Sequence, residues 1–143
     1  MTTYTYDKAG QLTKTTYPDG TFTTRAYDGL GRLITVTDER GNSTAYEYEA
    51  GCGCADRVTK VTDALGRSTV TAYDAVGRRS SVTDAAGHTT SYAYDSRGHL
   101  VETDYADGTK ETDTYDDLGR RTAHADQMGS VTQYGYDAEG QLT

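Results

Sequence analysis

Aliphatic residues are scarce in this chain. Val, Ile, Leu and Phe together number 17 among 143 residues, too few to fill the interior of an ordinary domain of that length. With a net charge of −8, such a composition falls where disorder is usual. The disorder-associated proline, however, occurs once. Two cysteines, Cys52 and Cys54, are too few for a disulfide framework. No run of 18 apolar residues exists, so no membrane span is expected. The opening MTTYTYDKAG has no basic segment followed by an apolar one, and no signal peptide is expected in this chain. Fourteen Lys and Arg against 22 Asp and Glu leave no excess of basic residues. That balance argues against DNA, RNA, heparin or an anionic membrane as the main ligand. Apolar residues nowhere recur with a 3.6-residue period, so no helix is expected.

What is abundant is threonine, 26 residues, and tyrosine, 13 residues. Both favour strands, and tyrosine must supply much of the apolar surface that aliphatics normally supply. The chain also repeats itself. Tyr followed by an acid recurs at Tyr6, Tyr27, Tyr48, Tyr73, Tyr94, Tyr115 and Tyr136, at intervals of 21, 21, 25, 21, 21 and 21 residues. The one long interval holds four extra residues within about 50–56, in EAGCGCADR. The single array therefore contains six units, 6–26, 27–47, 48–72, 73–93, 94–114 and 115–135, and the start of a seventh, 136–143.

Glycine follows the Tyr by four residues at Gly10, Gly31, Gly77, Gly98, Gly119 and Gly140. A second set stands ten further on, at Gly20, Gly41, Gly66, Gly87, Gly108 and Gly129. Asp commonly lies three before these glycines, as in DGLG and DAAG. Asp opens a turn by accepting backbone hydrogen bonds, and Gly closes it at positive φ. Two turns per unit leave two short segments such as RLITVT and STVTAY, which read as strands joined in hairpins. The expected fold is all-β: tandem 21-residue hairpins in one long, twisted and curved antiparallel sheet of about twelve strands. The repeated Tyr should form a column, with Leu12, Leu33, Val58 and Leu100 filling the gaps between rings. A further Tyr two residues earlier appears only in alternate units, at Tyr4, Tyr46, Tyr92 and Tyr134.

YDGLGRLITVTDERGNSTAYEYE and YDAVGRRSSVTDAAGHTTSYAYD resemble the YD repeat, also called the RHS repeat: Tyr-Asp, two variable residues, Gly-Arg-Leu, then a second Gly. The resemblance covers essentially the whole chain. Arg79 and Arg121 depart from it in place of Leu, and Gln11, His99 and Gln141 in place of Arg. The family includes Rhs polymorphic toxins, the B and C subunits of Tc toxins, wall-associated proteins and teneurins. The resemblance implies a secreted or cell-surface parent whose sheet spirals into a shell, often around a toxin domain. Self-cleavage in that family goes with an Asp-Pro-x-Gly motif. The one proline here, Pro18 in YPDG, does not form it, so neither cargo nor self-cleavage is expected in this chain.

No catalytic constellation can be assembled. Identical acids repeated in turns lack the asymmetry that acid–base catalysis needs. The Gly-Gly-x-Gly-x-Asp signature of calcium rolls is missing. Cys52 and Cys54 could be free loop thiols, a local disulfide, an intermolecular pair or half of a zinc site that needs two more ligands. His88, His99 and His124 fall at three different places in the unit. Arg32, Arg57, Arg78 and Arg120 follow the first turn and should lean back to its acid. No cofactor or metal is expected. The repeated Tyr and Gly are structural candidates, and the function expected is that of a non-catalytic wall segment. The alternative is a surface module that binds carbohydrate or protein through exposed tyrosines. Because a single sheet leaves faces and edges open, the isolated chain should pair with other such units or with a second copy of itself.

Overall fold

The computed structural model describes residues 1–49 and 56–143. Thirteen strands follow one another in chain order in an open antiparallel sheet, with no helix among the described residues. The chain divides into two compact units, Met1–Thr71 and Ala72–Thr143.

In the first unit β1 (Thr3–Tyr6) pairs with β2 (Leu12–Thr16), and the meander runs on through β3 (Phe22–Tyr27), β4 (Leu33–Thr37), β5 (Ser43–Tyr48), β6 (Val58–Thr62) and most of β7 (Ser68–Tyr73), whose last two residues fall past the boundary. The second unit carries β8 (Arg79–Thr83), β9 (Thr89–Tyr94), β10 (Leu100–Asp104), β11 (Lys110–Tyr115), β12 (Arg121–Ala125) and β13 (Val131–Gln133), again paired to chain neighbours. Four to six residues of β-branched and aromatic character suffice for each strand because the next turn returns the chain at once.

A bulge interrupts the pairing at a constant place. Ala26 faces Thr35 but Tyr27 faces Leu33, which leaves Ile34 as the extra residue. Thr13, Thr59, Val101 and Thr122 are left over in the same way opposite Tyr6, Tyr48, Tyr94 and Tyr115. The extra residue increases local twist and re-aims its neighbours. Here it falls beside the Tyr-Asp turn.

No hydrophobic side chain is fully buried among the described residues; Thr15 and Thr103 are the buried ones. The reason is architectural: a one-layer sheet has no second layer to cover either face. Strands instead satisfy one another sideways. Hydroxyls pair across the second turn at Thr37–Ser43 (2.8 Å), Thr62–Ser68 (2.9 Å) and Thr83–Thr89 (2.8 Å). Lysines reach carboxylates on adjacent strands at Lys60–Glu47 (2.9 Å) and Lys110–Glu102 (3.1 Å). Threonine is abundant because its branched carbon suits the strand while its hydroxyl finds a partner across it. Apolar side chains at the turn tips, among them Leu30, Val76 and Leu118, stand in solvent.

Candidate functional site

The arrangement that recurs from unit to unit is built on the turn that follows each Tyr. In the turn at 28–32, Gly31 N–H donates to Asp28 O (3.0 Å) and Asp28 N–H donates to Arg32 O (2.9 Å). Asp28 Oδ1 accepts from the backbone N–H of Leu30 (2.9 Å) and Arg32 (3.0 Å). Gly31 closes the loop at φ 84°, a conformation that costs a side-chain-bearing residue roughly 1–2 kcal/mol. The same backbone pattern appears at Asp74, Asp95 and Asp116, and in the second turns at Asp38, Asp63, Asp84 and Asp126. Where YPDG and YADG put Tyr17 and Tyr105 first, Asp19 and Asp107 take over by accepting from Thr21 and Thr109.

With Oδ1 committed to backbone, Oδ2 holds a cation. Arg32 Nε and Nη2 both reach Asp28 Oδ2 at 2.7 Å. Arg78 Nε meets Asp74 Oδ2 at 2.7 Å, and Arg120 Nε meets Asp116 Oδ2 at 2.7 Å. Arg57 faces Glu49 at 3.5 Å. So oriented, the guanidinium lies over the tyrosine of the following unit: Arg32 over Tyr48 (4.5 Å), Arg78 over Tyr94 (4.4 Å) and Arg120 over Tyr136 (4.6 Å). Those distances are in cation–π range.

The tyrosine hydroxyl completes the link by donating to a backbone carbonyl 15 residues back. Tyr27 reaches Leu12 O (3.0 Å), Tyr48 reaches Leu33 O (2.8 Å), Tyr94 reaches Arg79 O (2.9 Å), Tyr115 reaches Leu100 O (3.1 Å) and Tyr136 reaches Arg121 O (2.8 Å). The acceptor belongs to the backbone, so Arg79 and Arg121 serve as well as the leucines. Each junction thus joins an acid, a cation, a ring and a carbonyl across neighbouring turns.

The departures at the cation position alter the junction without abolishing it. Gln11 Nε2 donates to Gly31 O at 2.9 Å. His99 Nδ1 lies 2.8 Å from Asp95 Oδ2, and its ring stacks on Tyr115 at 4.6 Å and 21°. Additional cations bridge adjacent turns: Arg97 Nη1 donates to Asp117 O (2.6 Å) and Arg78 Nη1 to Asp95 O (3.4 Å).

Electrostatics follow from this geometry. The Arg32 backbone N–H, reinforced by the guanidinium, holds Asp28 below the usual carboxylate range, and Arg120 does the same for Asp116. Asp95 is lowered to about 2, first by its hydrogen bond to His99. Burial pushes the Tyr48 and Tyr115 phenols up. These carboxylates are ionised and engaged, which leaves them poor bases.

Tyr27, Tyr48, Tyr73, Tyr94, Tyr115 and Tyr136 are half-buried, whereas Tyr6 is exposed. All twelve repeat glycines of the described turns have positive φ. Cys52 and Cys54 lie outside the described residues. Among the described residues no three His, Cys, Asp or Glu side chains converge as a metal site. An open groove of about 670 Å³ lies between the turns at 7–11 and 28–31, lined by Asp7, Lys8, Gln11, Tyr27, Asp28 and Leu30. The groove residues offer no nucleophile beside a base.

The hydroxyl-to-carbonyl bond, the bulge and the stacked cation have no counterpart among the expectations drawn from the sequence. One signal could have led to the last: from Arg32, Arg78, His99 and Arg120 to the next repeat Tyr is always 16 residues.

An open antiparallel meander of short hairpins, tied at its turns by repeated Asp–cation–Tyr junctions, is a repeat array whose units are completed by their neighbours. Residues 1–142 match the family described as Teneurin YD-shell, and the chain belongs to that family as a shell-repeat segment. No curated protein matches it. Among solved structures it is similar to TcdB2-TccC3-TEV, at 15% identity and a TM-score of 0.48 over 99% of this chain and 10% of that one. It is also similar to TcdB2-TccC3, at 16% identity and a TM-score of 0.46 over 99% of this chain and 11% of the other. A mutant Tc holotoxin pore of Photorhabdus luminescens follows at 14% identity and 0.31, with 12% of that chain covered. The chain spans about a tenth of the length of the structures it matches.

Proposed function

We propose that this chain is a non-catalytic wall segment of a YD-repeat shell, in a secreted or cell-surface parent that encloses a toxin domain or presents a surface. The observation that carries this reading is the repeated junction. Its carboxylates, cations and tyrosines are spent on one another, and the role of the repeat Tyr and Gly is architectural. Its partners are further YD-repeat units, or a second copy of the chain when it is isolated, because strand edges and sheet faces remain unpaired.

Size-exclusion chromatography with small-angle scattering across a concentration series tests the reading. A discrete dimer or larger closed particle at the higher concentrations is the expected result. A monomer at every concentration would count against it. A second reading, a glycan- or protein-binding surface, draws on the exposed rings of Tyr4 and Tyr6. Glycan-array binding lost on Tyr4→Ala with Tyr6→Ala would favour it. The half-buried, hydrogen-bonded state of Tyr27, Tyr48, Tyr94, Tyr115 and Tyr136 weighs toward the wall.

A further inference from the structure

Adjacent Tyr-Asp turns meet in a fixed register. Gln11 Nε2 donates to Gly31 O at 2.9 Å, and the Tyr27 hydroxyl donates to Leu12 O at 3.0 Å. At the turn tips Arg97, three residues past Tyr94, reaches Asp117, two past Tyr115, at O (2.6 Å) and at Oδ1 (3.3 Å). A cation at the third place of one turn thus meets an acid at the second place of the next.

The same register stands open at both edges of the sheet. β1 is an edge strand, and Tyr6 beside it is 57% exposed. A carbon added at Gly10 would meet nothing within 4 Å, whereas at Gly31 it would meet Gln11 at 3.0 Å and at Gly119 it would meet His99 at 2.9 Å. Gly10 therefore shows solvent the surface that other turns show their predecessor. At the far edge Leu142 bridges to Tyr136, and Thr143 N–H donates to Gly135 O at 2.9 Å, which starts another strand. The turn that leads into it, YDAEGQLT at 136–143, matches YDKAGQLT at 6–13 in six of eight positions. Glu139 is three past Tyr136 and Lys8 is two past Tyr6, the places of Arg97 and Asp117 with the signs exchanged. The side chains of Tyr6, Lys8, Glu139 and Gln141 have no hydrogen bond or ion pair among the described residues.

We propose that isolated copies associate head to tail, the turn at 137–141 of one docking beside the turn at 7–11 of the next in the register that joins the turns at 7–11 and 28–32.

Three contacts follow from that register. The second copy's Tyr6 hydroxyl donates to Leu142 O, Gln141 donates to the second copy's Gly10 O, and Glu139 pairs with the second copy's Lys8. Two β1 edges laid against each other would leave Glu139, Gln141 and Leu142 O unused. Copies joined head to tail build a closed ring or a longer row. The contact is small, so the association is weak and is read at high protein concentration. The proposal rests on the reading that the isolated chain pairs with itself, and it names the two surfaces that meet.

The test is sedimentation velocity of the whole chain across a concentration series, with circular dichroism showing that each variant keeps its sheet. Lys8→Glu and Glu139→Lys each put like charges together and should each weaken association about 3–10-fold, and their equimolar mixture should associate within about twofold of wild type. Restoration in the mixture requires the charges to meet between chains. Tyr6→Phe, which removes one hydroxyl, should weaken association about 3–10-fold. Association that ignores both reversals, or a mixture that fails to recover, would overturn the head-to-tail contact and leave self-pairing intact. A chain that stays monomeric at every concentration would overturn both.

Discussion

Arg78 and Tyr94 belong to different turns, and their coupling should be measurable by a double-mutant cycle. The guanidinium lies 4.4 Å from the ring centroid and is oriented by Asp74 at 2.7 Å. The Tyr94 hydroxyl donates separately to Arg79 O at 2.9 Å. Tyr94→Phe removes only that bond and should cost about 0.5–1.5 kcal/mol. Tyr94→Ala also removes a half-buried ring, so its cost should fall below the ~3–5 kcal/mol typical of a fully buried aromatic. Arg78→Ala loses the ring contact, worth about 0.5–1 kcal/mol at a partly exposed site, and an ion pair worth ~0–1 kcal/mol. In the cycle Arg78→Ala with Tyr94→Ala the coupling should be about 0.5–1 kcal/mol, while Arg78→Ala with Tyr94→Phe should be nearly additive because Phe keeps the aromatic face. Urea denaturation midpoints at constant slope provide the assay. Additivity within about 0.3 kcal/mol for the alanine pair would refute the stacked cation as a link between units.

Glycine positions should separate two effects. Gly129→Ala, at φ 80° with open space around it, should cost about 1–2 kcal/mol for backbone strain alone. Gly119→Ala, at φ 79° with His99 Nε2 2.9 Å from the new carbon, should cost more in the same denaturation assay. Arg79→Leu should leave the melting temperature nearly unchanged, because the Tyr94 hydroxyl bonds to a carbonyl and not to that side chain. Arg121→Leu should be the more damaging change, since Arg121 also contacts Asp113 (3.4 Å) and the Tyr134 hydroxyl (3.1 Å). The acid limb of stability should fall between pH 3.8 and about 2 for Asp95, whose folded-state pKa is depressed: its contribution is present above 3.8 and lost as pH falls through 2. Asp95→Asn should flatten that limb in melts taken from pH 4.5 downward.

Much was legible in the sequence because the chain says everything several times. The Tyr-Asp and Gly spacing marks two turns in each 21-residue unit, and the turn chemistry of Asp and Gly is local, acting within five residues. Thr- and Tyr-rich segments between those turns have little choice but to pair as hairpins. All-β class, strand order and the inclination of Arg32, Arg57, Arg78 and Arg120 toward an acid of the preceding turn follow from such local rules. The thirteenth strand is the leading β1, which lies ahead of the first Tyr-Asp turn and pairs with β2.

What tertiary structure decided lies between units. Ile34 and its equivalents become bulge residues only when two strands are laid against each other, since no single segment shows which residue has no partner. That Arg32 covers Tyr48, or that Tyr48 reaches Leu33 O, depends on side chains 15 or 16 residues apart meeting across the sheet. Composition suggested that tyrosine would replace an aliphatic core. In the fold its ring is half-buried, its hydroxyl is bonded to backbone and its face takes a cation. Local sequence determines hairpins because their hydrogen bonds close within a few residues; the junctions that tie hairpin to hairpin exist only once the sheet brings the neighbouring turns side by side.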